Sequence, residues 1–412
     1  MWLTTSVFTT EGERVTDQPQ TAASERPPFS FNFDKVIILL FVAFLFSEEA
    51  RDLLTESGLK WAYLLLLAFG IGYVLVPPVY WLAHRLGMVD VPRGRKAHQY
   101  PTALLGGAVV YLAFAVTVLW NFSFSTQLKG VALAGTLIFL VGLVDDWRGL
   151  AAPVKLVCQL VGVVILIKYG VVISFFPHGP WGDLGEWLLT ALWVVGITNA
   201  VNYLDGLDGL AAGTCAISAF FFSLVALQSH HDFMVYLALP LLGSCLSFLP
   251  YNFRFRQPAL IFLGDAGSNF LGFMMASLGI IGDWASDELV KLIVPVLILG
   301  VPIFDMSFTT FMRVWHGQVR SVGQWLSYAG RDHIHHRLEA LRIGRAGAVL
   351  VIYAVTTWLG LSALVLKNAT GLNALLQVAQ SVIVFLLLGF FMVFVQRQYA
   401  AIEQQANDQK GA

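Results

Sequence analysis

Long, nearly uninterrupted apolar runs constrain this chain more than any other feature. From Trp61 onward they recur with lengths that suit a bilayer core, where a backbone survives only as a helix or a closed barrel. Barrel strands alternate apolar and polar residues, and these runs do not, so the segments are helices. Eleven are expected, near Trp61–Leu86, Leu104–Phe122, Val131–Val144, Val154–Phe175, Trp187–Tyr203, Gly209–Leu227, Phe233–Tyr251, Ala266–Trp284, Leu289–Met312, Arg345–Leu366 and Ala374–Val395. Charged residues make up 12% of the chain, where a soluble domain carries about 25%, which agrees with an all-α, polytopic membrane helix bundle of about eleven transmembrane helices.

The bundle is expected to occupy residues 61–395, between an N-terminal extension at 1–60 and a C-terminal tail at 396–412. Met1 to Ser30 is polar and lacks the basic start of a secretory signal, so it reads as a mobile tail. Val36 to Phe46 is apolar but too short for an upright span, which suits an interfacial or half-inserted helix, with a tilted span as the alternative. The loops after the first, third, fifth, seventh and ninth helices, with the adjoining helix ends, hold fourteen basic residues from Arg85 to Arg345. The opposite loops hold only Lys129, Lys291 and Lys367, with Lys168 near a helix end, so the basic side is expected to be cytoplasmic. A net charge of −1 excludes a polyanion-binding surface and with it nucleic acid as a partner. Cys158, Cys215 and Cys245 lie in apolar runs without metal-type spacing and read as packing residues.

Almost every polar motif falls on the basic side. The first such loop, GRKAHQYPTALLGG, places Arg95, Lys96 and His98 ahead of Thr102 and a glycine pair, a phosphate-binding character beyond a loop that merely sets topology. In LVGLVDDWRGL, Asp145 and Asp146 repel one another at a helix end that already carries partial negative charge. A divalent cation, Arg148 or a shared proton would compensate. In NAVNYLDGLDGLAAG, Asn199, Asn202, Asp205 and Asp208 supply oxygen ligands suited to magnesium and groups suited to a ribose or base, with no cation among them. In FLGDAGS, Asp265 is placed to hold a metal, and the helix start beyond Ser268 offers free N–H groups to a phosphate; the plainer reading is an N-cap. Asp305 sits inside a membrane helix with no evident role unless paired with Arg313 or another helix. RDHIHHRLEALRIG reads as an interfacial helix whose His333, His335, His336 and Arg337 suit phosphate contact better than a zinc site.

In order and spacing, RKAHQYPT with its glycine pair, DDWRGL, NAVNYLDGLDGL, GDAGS and HIHHRL resemble the polyprenyl-phosphate N-acetylhexosamine-1-phosphate transferases, a glycosyltransferase family 4 group. The resemblance extends from about Trp61 to Leu341. It implies a magnesium-dependent enzyme, with manganese as the alternative ion, in which polyprenyl phosphate attacks a UDP-sugar, releases UMP and leaves a lipid-linked diphospho-sugar. It further implies Asp265 as metal ligand, Asp145 and Asp146 beside the metal and the lipid phosphate, and Asn202, Asp205, Asp208 and Asn252 in the nucleotide-sugar region, with Lys96 and Thr102 at its edge. Asp145, Asp146, Asp208 and His335 are then the expected catalytic residues, and His333, His336 and Arg337 join the substrate-binding set. The HIHH form resembles the branch that uses UDP-N-acetylglucosamine or a related N-acetylhexosamine rather than the muramoyl-pentapeptide branch. The N-terminal sixty residues and the stretch VWHGQVRSVGQWLSYAG have no close counterpart in that family.

No GxxxxGK[ST] loop occurs, so cations must neutralise the two phosphates that react. Asp145 or Asp146 is expected to orient or deprotonate the lipid phosphate, in one step or through a covalent aspartyl intermediate. Expected partners are the UDP-sugar, the polyprenyl phosphate, the lipid bilayer and a second copy of the chain. The expected setting is a bacterial inner membrane and an early step of cell-envelope glycan synthesis. A transporter or flippase is the rival class; it would place polar residues deep in several helices, whereas here, Asp305 apart, the acids cluster at helix ends.

Overall fold

A computed structural model describes residues 33–91, 101–121, 125–177, 179–229, 231–285, 287–321, 323–324, 330, 332–341 and 343–411. The described helices are α1 Phe33–Leu45, α2 Glu48–Glu56, α3 Lys60–Leu86, α4 Gly106–Trp120, α5 Thr126–Arg148, α6 Ala152–Lys168, α7 Pro180–Leu204 and α8 Leu210–Gln228. They continue with α9 Asp232–Asn252, α10 Gly264–Ile281, α11 Glu288–Ile298, α12 Gly300–Trp315, α13 Ile334–Ala340, α14 Gly344–Leu366 and α15 Gly371–Gly411. Two short antiparallel strands, β1 Val89–Asp90 and β2 Thr102–Ala103, pair Val89 with Ala103 and Asp90 with Thr102.

Each of the eleven expected segments contains a helix, although the fourth ends at Lys168, short of the expected Phe175. Among the described residues, seven helices are long and apolar enough to cross a membrane, or eight if α11 and α12 count as one broken span. The remaining three, α4, α6 and α10, are shorter or carry polar residues at one end: Lys155 and Gln159 on α6, Asp265, Ser268 and Asn269 on α10. The apolar run at Val36 forms part of α1, whose 13 residues reach about 20 Å, short of a bilayer core.

The ninth segment is not the single helix expected, for α11 and α12 meet at 83°. Pro302 has no N–H to give the Ile298 carbonyl, and Gly300 lies in the same turn, so the ladder breaks there. The hydroxyl of Ser218 on α8 donates to that carbonyl at 3.0 Å and satisfies it.

Helix α10 occupies the centre, packed against α4, α5, α7 and α8 and buried at every residue from Ala266 to Leu278, as befits a helix with no solvent face. Small residues bring its start close to two neighbours. A Cβ on Gly107 of α4 would lie 2.3 Å from the Gly267 nitrogen, and one on Gly142 of α5 would lie 2.5 Å from the Ala266 Cα. Backbone bonds from Gly106 N to Phe262 O (2.9 Å), Gly107 N to Leu263 O (2.8 Å) and Phe262 N to Ala103 O (2.8 Å) tie β2 and α4 to the segment leading into α10. The polar motifs on the ends of α3, α5, α7 and α9 thereby come together.

Candidate active site

Those ends surround a cavity of about 830 Å³. Asp90 and Thr102 line it from the strand pair, Asp146 from α5, Asp205 and Asp208 from the α7–α8 loop, and Asn252 from α9. Arg254 and Arg256 from the following loop, Asp265 from α10 and Arg345 from α14 complete its polar wall.

The two adjacent acids of α5 have separate compensation. Asp145 accepts from Lys155 Nζ at 2.7 Å and from the Leu150 N–H, and the same ammonium reaches Asp265 Oδ2 at 3.1 Å. Lys155 thus stands between two carboxylates where a cation is wanted. Asp146 instead caps α10 across the interface: its Oδ1 accepts from the Asp265 N–H at 2.7 Å and its Oδ2 from the Ala266 N–H at 3.0 Å. This corrects two expectations. Arg148 does not neutralise the acid pair but lies over the Trp147 ring, 4.6 Å from its centroid. The helix starts at Gly264, not beyond Ser268, and the N–H groups of its second and third residues serve Asp146 rather than standing open to a phosphate. Gly264 is needed twice over, for its φ of 73° and because a Cβ there would lie 2.6 Å from Asp146 Oδ2.

Asp265 is held from several sides. Asn202 Nδ2 donates to its Oδ1 at 2.9 Å and to Ser268 Oγ at 2.9 Å. Asn269 Nδ2 donates to its carbonyl at 2.8 Å, and Gln159 links Asn269 to Asn199 beneath. Asn252 spends its amide on the loop walls, accepting from Gly209 N at 2.7 Å and donating to Ile261 O at 2.9 Å. Asp208 accepts from Ala259 N at 3.3 Å.

Asp205 differs from all of these. It terminates α7, and among the described residues no side-chain hydrogen bond or ion pair reaches its carboxylate. Burial, followed by the charges of Asp265, Asp146 and Asp208, holds it well above the usual carboxylate range. Carboxylates that face one another across a cavity are a donor set for a hard divalent cation. Among the described residues no three His, Cys, Asp or Glu side chains already stand at ligating distance of one point. Asp265 and Asp205 can therefore hold an ion only in the manner common for magnesium, one or two carboxylates with the remaining positions left to water and substrate oxygens.

The structure brings Thr102, Asp146, Asp205, Asp208, Asn252 and Asp265 to one cavity, with Asn202 bonded to Asp265 and Asp145 linked to it through Lys155. Lys96, with Arg93, Arg95 and His98, lies outside the described residues. The α13 residues form a separate layer. His333 and Arg337 are buried and engaged with protein, His336 is half-buried, and His335, 1% exposed, sits behind Gly206 with neither ring nitrogen hydrogen-bonded. Burial, aided by His336 and His333, pushes His335 down to about 3, so its ring is neutral at pH 7. Asp305 does not pair with Arg313; it holds His333.

Sequence reasoning counted Lys155 only among the charges that set topology. A lysine one turn inside an apolar helix was the available signal, since such charges are costly in a membrane unless partnered. Asp90 and Arg345 carried no local signal beyond their side of the membrane.

Comparison with known proteins places these motifs in context. Residues 128–283 match the model of glycosyl transferase family 4. The chain is 36% identical, over 72% of its length and 82% of the relative, to a probable undecaprenyl-phosphate N-acetylglucosaminyl 1-phosphate transferase of Bacillus subtilis. It is 33% identical to a decaprenyl-phosphate N-acetylglucosaminephosphotransferase of Mycobacterium tuberculosis, over 71% of this chain and 78% of that one. It is also 33% identical to a phospho-N-acetylmuramoyl-pentapeptide-transferase of Lactiplantibacillus plantarum, over 55% of this chain and 76% of that one.

Proposed function

This chain belongs to glycosyl transferase family 4, and from that premise we propose that it transfers N-acetylglucosamine 1-phosphate from UDP-N-acetylglucosamine to a polyprenyl phosphate. One observation carries the reading. Five acids from four separate elements, Asp90, Asp146, Asp205, Asp208 and Asp265, face a single cavity that also presents Thr102, Arg254, Arg256 and Arg345, a mixed-charge wall suited to a diphosphate and a cation. The donor assignment draws on the names of the Bacillus and Mycobacterium relatives, which match this chain over a larger share than the pentapeptide transferase does. The positive-inside count supports a cytoplasmic cavity, where a soluble UDP-sugar meets a carrier held in the bilayer.

In the transfer, an oxygen of the polyprenyl phosphate attacks the sugar-bearing phosphorus, and the bond to the bridging oxygen breaks, leaving that oxygen on UMP. No net proton moves if the acceptor enters as its dianion, the dominant form above a second pKa of about 6. Base catalysis is accordingly a small part of the work. Asp146 has both oxygens committed to backbone N–H groups, and Asp145 is committed to Lys155 and Leu150. These residues hold Asp265 and Lys155 in place, while Arg254, Arg256 and Arg345 offset the charge of the two reactants. Asp265 and Asp205 would hold magnesium, which, when bound, neutralises diphosphate oxygens and the departing UMP.

Purified protein with magnesium, undecaprenyl phosphate and radiolabelled UDP-N-acetylglucosamine is expected to move label into the organic phase and to yield UMP. Asp265→Ala should lower that rate by about 10³-fold or more with the protein still folded. Label that stays in the aqueous phase with folded wild-type protein would sink the transferase reading. Transfer from UDP-N-acetylmuramoyl-pentapeptide instead would correct the donor.

A further inference from the structure

A second charged cluster lies at the junction of α12 and α13, and none of its carboxylates lines the cavity. Asp305, 1% exposed, accepts from His333 Nδ1 at 2.8 Å and from the Ile334 N–H at 2.7 Å. His333 Nε2 faces Arg313 Nη2 at 3.3 Å. A guanidinium only donates, so Nε2 is the acceptor and Nδ1 carries the proton that Asp305 receives. Arg313 grips Asp332 with two bonds of 2.7 Å. Arg337 donates to the Asp332 carbonyl at 2.7 Å and to Met392 O on α15 at 2.8 Å. Residues 332–337 are therefore pinned by α12 and α15 together.

Two contacts lead from this clamp to the cavity wall. The His333 ring stacks on Tyr203, near the end of α7, with centroids 5.2 Å apart. The His335 ring presses on Gly206, where a Cβ would lie 2.2 Å from Nε2. Tyr203 and Gly206 flank Asp205, the carboxylate without a side-chain partner among the described residues. We propose that Asp305 is a positioning residue for the cavity: by holding His333 and the Ile334 N–H it seats α13, and α13, through His333 and His335, fixes the Asp205–Asp208 loop. Such a role accounts for an acid inside a membrane helix that does not line the cavity. It also explains why residue 206 has no side chain.

The test has an arm that is independent of the reaction. Hydrogen–deuterium exchange is measured on full-length protein in detergent for peptides covering 203–210 and 332–340. Asp305→Asn places an N–H donor against one of the two donors that Asp305 now accepts, and exchange in both segments is expected to accelerate about ten-fold or more, with α3 and α4 unchanged. Loosening of 332–340 while 203–210 keeps wild-type exchange would overturn the proposal. Gly206→Ala approaches the same contact from the exposed loop and leaves the clamp residues untouched; it is expected to loosen 332–340 as well as its own loop, and silence at 332–340 counts against the coupling. Only the kinetic arm rests on the transferase reading: Asp305→Asn should lower kcat by about ten-fold with KM changed less than about three-fold. Wild-type kcat in that variant, with the loop loosened, overturns the positioning role. Absence of transfer by the wild type indicts the transferase reading and leaves the exchange result to decide this one.

Discussion

The cavity and the α12–α13 clamp lie on neighbouring parts of the same bundle, and both are dense in charge, yet their charges are disposed in opposite ways. In the clamp each carboxylate is met: Asp305 by His333 and a backbone N–H, Asp332 by two bonds from Arg313. In the cavity Asp145 and Asp265 share one ammonium, Asp146 is met, among the described residues, only by helix N–H groups, and Asp205 has neighbours of its own sign. Burying a charge is tolerable when it is paired and costly when it is not, so an acid left short of compensation inside a folded protein marks a place where something else supplies it. Matched charge here builds architecture; unmatched charge is what the proposed cation and phosphorylated substrate would meet.

The largest expected effect that bears on this contrast comes from Lys155. Removing it by Lys155→Met leaves Asp145 and Asp265 facing each other with no ammonium between them. Transfer is expected to fall by about 10²-fold or more. The thermal midpoint should fall as well, and added magnesium should restore part of it, because a divalent ion can replace the lost charge. Scanning calorimetry with and without magnesium checks this; a midpoint indifferent to the ion would show that the cavity is not short of positive charge. Arg313→Met is the matching experiment in the clamp. It breaks a bidentate pair between the buried Arg313 and the half-buried Asp332, which should cost about 2 kcal/mol of stability. Magnesium should recover none of it. Recovery there would erase the distinction between the two regions.

How far the sequence alone reaches follows the same division. Apolar run length sufficed for the helices, and the acids at alternate helix ends sufficed to expect one converging site, because both are local properties of the chain. Which group compensates which acid is not local. Lys155 is 110 residues from Asp265, and the α10 N–H groups that Asp146 accepts are 119 and 120 residues away. Residue types at those positions were visible, but Lys155 had an equally good reading as a topology charge and Asp146 as a catalytic acid. The same holds for Asp305, whose partner His333 lies 28 residues on, past the end of α12. The α13 histidines looked like surface phosphate contacts because their spacing leaves burial undetermined; only packing against Gly206 and Tyr203 shows that His335 and His333 face inward.

The smallest effect on stability is also the most diagnostic, because its sign differs between the regions. Asp205→Asn should abolish transfer and yet stabilise the metal-free protein. The folded state holds Asp205 well above the usual carboxylate range, through burial first and then the charges of Asp265, Asp146 and Asp208. An acid with a raised pKa binds its proton more tightly when folded than when unfolded. Between the two values the folded state holds the proton and the unfolded state does not, so stability falls as pH rises from about 4 through the raised value and is flat above it. Asparagine carries no such penalty. The advantage of Asp205→Asn in thermal midpoint is therefore expected to be small near pH 4, to widen as pH increases, and to reach about 1–3 °C. Magnesium should narrow it by compensating the wild-type carboxylate. The corresponding change in the clamp, Asp305→Asn, should lower the midpoint, since that carboxylate has the two donors it needs. If both substitutions destabilised the protein alike, Asp205 would be a structural acid and the cavity would have no unmet charge to offer a cation.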